Sequence, residues 1–413
     1  MSRKEDPLKK YSKCITEIAM NEACTPVLNT GLRGIDVASS KICDVRGKEG
    51  KLIYRGYLIE DLAENATFEE VCFLLLYERL PKKKELADFD ASLKQKRQVP
   101  DNVFALMKSL PKTMNPMDVI QMAAPMLIQT DENAGSETLE HTLYSAENLI
   151  AGLGTIIAAW DRIRSNNPPV MPDNTLGHAA NFLYMLTGET PETEVADFFD
   201  AGLVLHAEHS FNASTFTARQ VASTKAHIYA AICAAIGSLS GPLHGGANVR
   251  VMKMLMEIRS RENIAPYIDN ILDTGGLIMG LGHAVYQTDD PRALILAPMS
   301  RRMGEIAGDT KWYDLTKELE TKGKEAFQKR KNREIFCNVD FYSASLFYAM
   351  GIAMDLFTPI FALSRVSGWC AHVMEEQFAM AAPKPSLYRP GATYVGEYCG
   401  PDECRFTDIE ERK

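Results

Sequence analysis

The chain has 413 residues, 46% of them apolar, and its 45 Lys and Arg against 54 Asp and Glu leave a net charge of −9. That length exceeds one ordinary core and points to two domains, while basic residues scattered among acids exclude an extended nucleic-acid-binding face. No apolar run approaches the ~18 residues of a membrane span, and Met1 to Leu8 mixes acids with bases ahead of no apolar stretch, so a soluble cytoplasmic protein is expected, without membrane association.

The first element in chain order is a β-hairpin between Ile42 and Tyr57, two short apolar runs around a Gly-containing loop. Helical patterns follow. Thr67 and Glu70 form a capping box ahead of Val71 to Tyr77. Asp101 is placed to cap Val103 to Leu110, and Asn115-Pro116 opens a helix through Leu127. The run from Ser136 to Arg164 is apolar on more than one face and reads as a helix buried among helices. Helices are also expected from Thr190-Pro191 towards His206, and over 226–239, 247–261, 294–307, 311–330, 343–354 and 361–381. A mainly α architecture with one small N-terminal hairpin is the consequence.

Nine cysteines, at positions 14, 24, 43, 72, 233, 337, 370, 399 and 404, include no Cys-x-x-Cys pair. They read as reduced thiols, with no tetrahedral zinc set.

Three segments hold one ionisable side chain each among glycines and apolar neighbours: Gly241-Pro242-Leu243-His244-Gly245-Gly246, Gly280-Leu281-Gly282-His283-Ala284-Val285-Tyr286 and Asn338-Val339-Asp340-Phe341-Tyr342. A histidine between glycines can donate from one ring nitrogen while the other is fixed. A carboxylate in apolar company becomes a stronger base. Taken singly, His244 and His283 can equally be structural, and Asp340 can be a helix cap; recurrence in like settings favours chemistry. His206 and His209 stand at i and i+3 on one helix face, where they could hold a metal, but no carboxylate completes a ligand set, so no metal is expected and hydrogen bonding to an anionic substrate or a neighbouring helix is favoured. Arg292, Arg365 and Arg389 lie beside turns or in apolar helices, and three guanidinium forks suit a polycarboxylate.

Together with Gly31-Leu32-Arg33-Gly34, Tyr54-Arg55-Gly56-Tyr57, Asn212-Ala213-Ser214-Thr215-Phe216, Asp290-Pro291-Arg292 and Phe357-Thr358-Pro359, these segments resemble the citrate synthase and 2-methylcitrate synthase family over nearly the whole chain. The resemblance implies a large helical domain, 1–244 with 346–413, and an inserted small domain, 245–345, that closes over substrate. It implies condensation of acetyl-CoA with oxaloacetate and water to citrate and CoA, or of propionyl-CoA in the 2-methylcitrate variant, in a homodimer that uses no cofactor. By resemblance Asp340 removes the acyl proton, His244 holds the thioester oxygen and His283 protonates the forming alkoxide. His209, Arg292, Arg365 and Arg389 contact oxaloacetate, Arg389 from the partner subunit. A non-catalytic helical metabolite-binding protein is disfavoured because Asp340, His244 and His283 are all present.

Two departures from the family pattern stand out. Gln287 replaces a Lys or Arg near the CoA phosphates, and Cys337 and Ala344 stand where Pro and Gly are frequent.

Overall fold

The computed structural model describes residues 31–32, 34–283, 285–394 and 406–412. Arg33, Ala284, Cys14, Cys24, Cys399 and Cys404 lie outside the described residues. Backbone contacts divide the chain into two units, Ser39–Leu387 and the termini Met1–Ala38 with Tyr388–Lys413. In the terminal unit a short 3-10 turn spans Ile409–Glu411, and the Arg412 guanidinium lies over the Phe406 ring. Arg389 belongs to this unit and is exposed.

The larger unit opens with β1 (Cys43–Arg46) and β2 (Lys51–Tyr54), antiparallel in the register Cys43 opposite Tyr54. The expected hairpin is extended by β3 (Tyr57–Leu58), which returns on β2 through Arg55 and Gly56. Alternation buries Leu52 and Tyr54 and leaves Lys51 in solvent. The sheet leads into α1 (Ile59–Asn65) and α2 (Phe68–Tyr77), the latter started by the capping box as expected: the Glu70 N–H donates to Thr67 Oγ1 and the Thr67 N–H to Glu70 Oε2.

Next come α3 (Lys83–Lys96), α4 (Asp101–Ser109) and α5 (Pro116–Ala123). Asp101 is not the cap of α4. Pro100 takes that position and Asp101 is already helical, where its charge suits the positive end of the helix dipole. Asn115 does cap α5, which tightens into a 3-10 turn over Ala124–Thr130. Beyond these lie α6 (Leu139–Arg164), α7 (His178–Thr187), α8 (Thr193–His206), α9 (Ala213–Ala222) and α10 (Ile228–Leu239). After α10 come α11 (Ala247–Ile258), α12 (Ile264–Thr274), α13 (Pro291–Ile306), α14 (Lys311–Lys331), α15 (Asp340–Ala349) and α16 (Phe357–Gln377).

Every residue of α16 from Phe357 to Glu376 is buried, because the helix packs on α2, α6, α8, α9 and α10 at once. Trp160 of α6 and Trp369 of α16 are fully buried, and truncating either to Ala should cost about 3–5 kcal/mol. The helix α15 packs on α11, α13 and α14, and its Ser345 hydrogen-bonds Ser300 of α13 across the contact. No described helix is long and apolar enough to cross a membrane.

Candidate active site

His244 lies in the turn between α10 and α11, where the His244 N–H donates to Gly241 O and the Gly245 N–H to Leu239 O. A Cβ on Gly245 would stand 2.5 Å from Leu239 O, so only glycine permits this turn. The ring is oriented from α9: its Nε2 accepts the Ser214 N–H at 3.2 Å and lies 2.8 Å from Ser214 Oγ. An Nε2 that accepts a backbone N–H carries no proton, so the proton of the neutral ring is on Nδ1. Ser214 is itself held by Asn212 Oδ1 and by the Trp369 Nε1–H. Burial, with help from the charge of Arg365, lowers the His244 pKa to about 4.

His283 is fixed in the opposite sense. Its Nδ1 accepts two backbone N–H groups, of Val285 and Tyr286, each at 2.9 Å, so Nε2 is the donor. Burial first, then the charge of Arg292, lowers its pKa to about 4. Its ring centroid is 5.6 Å from that of His209 and 4.7 Å from that of Tyr286.

Asp340 is the first residue of α15, three positions earlier than the expected start at Ser343. Its Oδ1 is shut off from solvent and has no hydrogen-bond partner among the described residues. Desolvation raises its pKa to about 6, against the opposing pull of Arg292. The segment before it pairs with the His283 loop: Gly282 N–H donates to Phe336 O, Asn338 N–H to Gly280 O, and Asn338 Nδ2 to Gly282 O. Gly280 is required there, since at φ +82° an added Cβ would stand 2.3 Å from the Phe341 ring.

The expected i, i+3 pair on one helix face is corrected: α8 ends at His206 and His209 lies beyond it, followed by Ser210 at φ 52°. His206 turns into the core and its Nδ1 donates to Gly202 O. His209 stands instead beside His283 and Tyr286, its Nε2 buried without a partner among the described residues, and burial together with Arg292 lowers its pKa. The β-sheet positions this stretch, for Tyr54 OH donates to Glu208 O while accepting the Glu208 N–H.

The two arginines of this unit differ. Arg292 is buried and clamped in a fork by Asp290, Nε to Oδ1 at 2.9 Å and Nη2 to Oδ2 at 2.7 Å. Burial pulls its pKa down, but the charge and hydrogen bonds of Asp290 outweigh that and raise it. Arg365 is equally buried, yet among the described residues it donates only from Nε, to His206 O at 2.7 Å, with its guanidinium over Phe361. Four N–H donors of a buried cation therefore face no protein acceptor, an arrangement that favours a carboxylate ligand. The charge of Arg365 acts on His244, His209 and Asp340, and that of Arg292 on His209, His283 and Asp340, so these six groups share one electrostatic neighbourhood. Arg389 belongs to the terminal unit.

Sequence reasoning gave no role to Ser214, Tyr286 or Phe361, nor to a buried network behind the site. In that network His372 Nδ1 accepts from Arg219, so its Nε2–H donates to Glu208 Oε1, and Arg219 also bonds Glu375 and Glu376. Pairings across about 30 to 160 residues leave no local signal. Asn212 was the one readable clue, since it caps α9 by accepting the Thr215 N–H and so sets Ser214 in the first turn.

The profile of the family described as citrate synthase, C-terminal domain, matches residues 31–391. A citrate synthase of Haloferax volcanii is 42% identical over 390 residues, 93% of this chain and 99% of the relative. A 2-methylcitrate synthase of Shewanella oneidensis is 37% identical over 373 residues, 89% and 94% of the two chains. The citrate synthase of Thermoplasma acidophilum, solved as a ternary complex with carboxymethyl coenzyme A and oxaloacetate, superposes with a TM-score of 0.84 at 29% identity, covering 94% of this chain and 100% of that one.

Proposed function

The chain belongs to the citrate synthase family, and from that membership and the site geometry we propose that it condenses acetyl-CoA with oxaloacetate and water to give citrate and CoA. The observation that carries the reading is a carboxylate whose Oδ1 is buried with no partner among the described residues, in the same arginine fields as two histidines whose hydrogen bonds fix opposite tautomers. Ionised Asp340 takes a proton from the acyl methyl group. His244 donates its Nδ1–H to the thioester oxygen, stabilising the enol as it forms. The enol carbon attacks the oxaloacetate ketone, and His283 passes its Nε2–H to the oxygen that becomes alkoxide; the proton taken up by Asp340 balances this one when the ring is reprotonated. Water then cleaves the thioester, releasing CoA and citrate.

Oxaloacetate is held by its carboxylates. Arg365 offers the free donors, Arg292 brings a second charge positioned by Asp290, and His209 adds an imidazole. Arg389 completes the set from a partner subunit of a homodimer. Residues 245–345, from α11 into the first half of α15, move as a small domain whose closure builds the acyl-CoA site. The protein works in the cytoplasm, with no metal or prosthetic group in the steps above.

Purified protein given both substrates should release free thiol and form citrate, and both products should depend on oxaloacetate. A higher kcat/KM with propionyl-CoA than with acetyl-CoA would instead make the protein a 2-methylcitrate synthase. Absence of turnover with either thioester would overturn the reading.

A further inference from the structure

Asp289 precedes the Asp290 that clamps Arg292 and follows His283 by six residues, yet its carboxylate serves another segment. Its Oδ1 accepts the Cys337 N–H at 2.9 Å, and both oxygens accept from Lys324 Nζ, at 2.8 and 2.9 Å. The same ammonium donates to Glu320 Oε1 at 2.7 Å, and Glu320 Oε2 accepts the Tyr342 hydroxyl. Cys337 stands three residues before Asp340 and Tyr342 two after it. Through Asp289 and Glu320, one lysine of α14 therefore ties both sides of the proposed base to the loop that carries His283.

We propose that Lys324 is a positioning residue, whose ammonium joins Asp289 to Glu320 and thereby holds the Asp340 segment in register with the His283 loop. The proposal rests on the reaction assigned above.

The charges close locally: Asp289 and Glu320 face Lys324, and Lys317 adds a second cation on Glu320. Burial raises the Glu320 pKa, but hydrogen bonds from Lys324, Tyr342 and Lys317 outweigh it and hold the carboxyl at about 2, so it stays ionised. Asp289, Glu320 and Cys337 also lie close enough to ligate one cation. Lys324 already supplies the positive charge between the two carboxylates, and burial keeps the Cys337 thiol protonated, so the cluster works without a metal. Backbone pairing supports the join, since the Asp290 N–H donates to Cys337 O at 3.0 Å and Leu281 bridges to Cys337. A small misplacement of a base relative to its substrate costs up to about 100-fold in rate.

Lys324→Gln and Asp289→Asn should each lower kcat roughly 10- to 100-fold while leaving the oxaloacetate KM close to wild type. Lys324→Arg should recover most of the loss, and the double variant should be no slower than the worse single, because both changes break one device. Hydrogen–deuterium exchange over residues 335–342 should rise in both variants, a readout independent of turnover. Wild-type turnover tests the assigned reaction by itself. If the wild type turns over and both variants keep its kcat, or the two losses multiply, the proposal fails. Unchanged exchange over 335–342 in both variants overturns it whatever the activity. Should Lys324→Gln not fold, Asp289→Asn, which is isosteric, decides alone on the same two measurements.

Discussion

At the scale of the residue, the chemistry depends on which groups carry a proton at neutral pH. Asp340 loses solvation and gains no hydrogen-bond donor at Oδ1, so its pKa rises to about 6, while His244 and His283 fall to about 4. A base must be ionised to act, so kcat/KM, which reports the free enzyme, should climb with pH through about 6 and flatten above it, the histidines staying neutral across that range; a pH–rate profile checks this. Asp340→Asn should remove proton abstraction and lower kcat by about 10²- to 10⁴-fold, with oxaloacetate binding retained in calorimetric titration. The same variant should be more stable at pH 7.5. The carboxyl's folded pKa lies above its unfolded value near 3.8, so the wild type loses stability as pH rises between the two, by about 1–3 kcal/mol. Thermal melts should show the gain at neutral pH and its disappearance below pH 4. Arg365→Leu removes the buried cation with free donors and should weaken oxaloacetate binding by at least about 30-fold, an effect of about 2 kcal/mol or more. Acyl-CoA binding should change far less.

At the scale of the element, local signals and distant ones part company. The α2 capping box, the Asn115-Pro116 start of α5 and the multi-faced apolar run of α6 are readable because their causes lie within a few residues. The helix α3 escapes a pattern reading because only Phe89 and Leu93 are buried in its fourteen residues. The helix α12 escapes because it grows from a 3-10 turn without a capping side chain. The start of α15 at Asp340 is hidden because Val339, which precedes it, cannot cap; Asn338 Oδ1 accepts the Asp340 N–H instead, and the segment before it is held by the strand-like pairing with Gly280 to Gly282. The two glycine-rich segments and the Asn338–Tyr342 segment single out the residues proposed to react, but not the tautomers, which come from Ser214 in one case and from backbone N–H groups in the other. Gly280→Ala tests the pairing. The added methyl meets Phe341 in a backbone conformation that an L side chain resists, so α15 must shift at its Asp340 end. The variant should be less stable by about 1–3 kcal/mol, read as a lower melting temperature, and lose most of its turnover; full activity would show that the Asp340 segment tolerates displacement.

At the scale of the whole molecule, Arg365 and Arg292 belong to the larger unit and Arg389 to the terminal one, where it is exposed. An exposed arginine that serves catalysis needs a site brought to it, and in the proposed homodimer that site is the partner's. The arrangement has a consequence that no single chain can imitate. An Asp340→Asn chain lacks the base but supplies Arg389, and an Arg389→Leu chain lacks the arginine but supplies the base, so each homodimer is inactive. In a heterodimer both defects fall in one site and the other is whole, because every site takes its Asp340 from one chain and its Arg389 from the other. Co-expressed or co-refolded chains, separated by different affinity tags, should therefore regain up to about half the wild-type turnover per dimer. If Arg389 instead acts within its own chain, each heterodimer site keeps one defect and the mixture stays as inactive as its parents, and a fully active monomer in sedimentation would rule out the shared site directly.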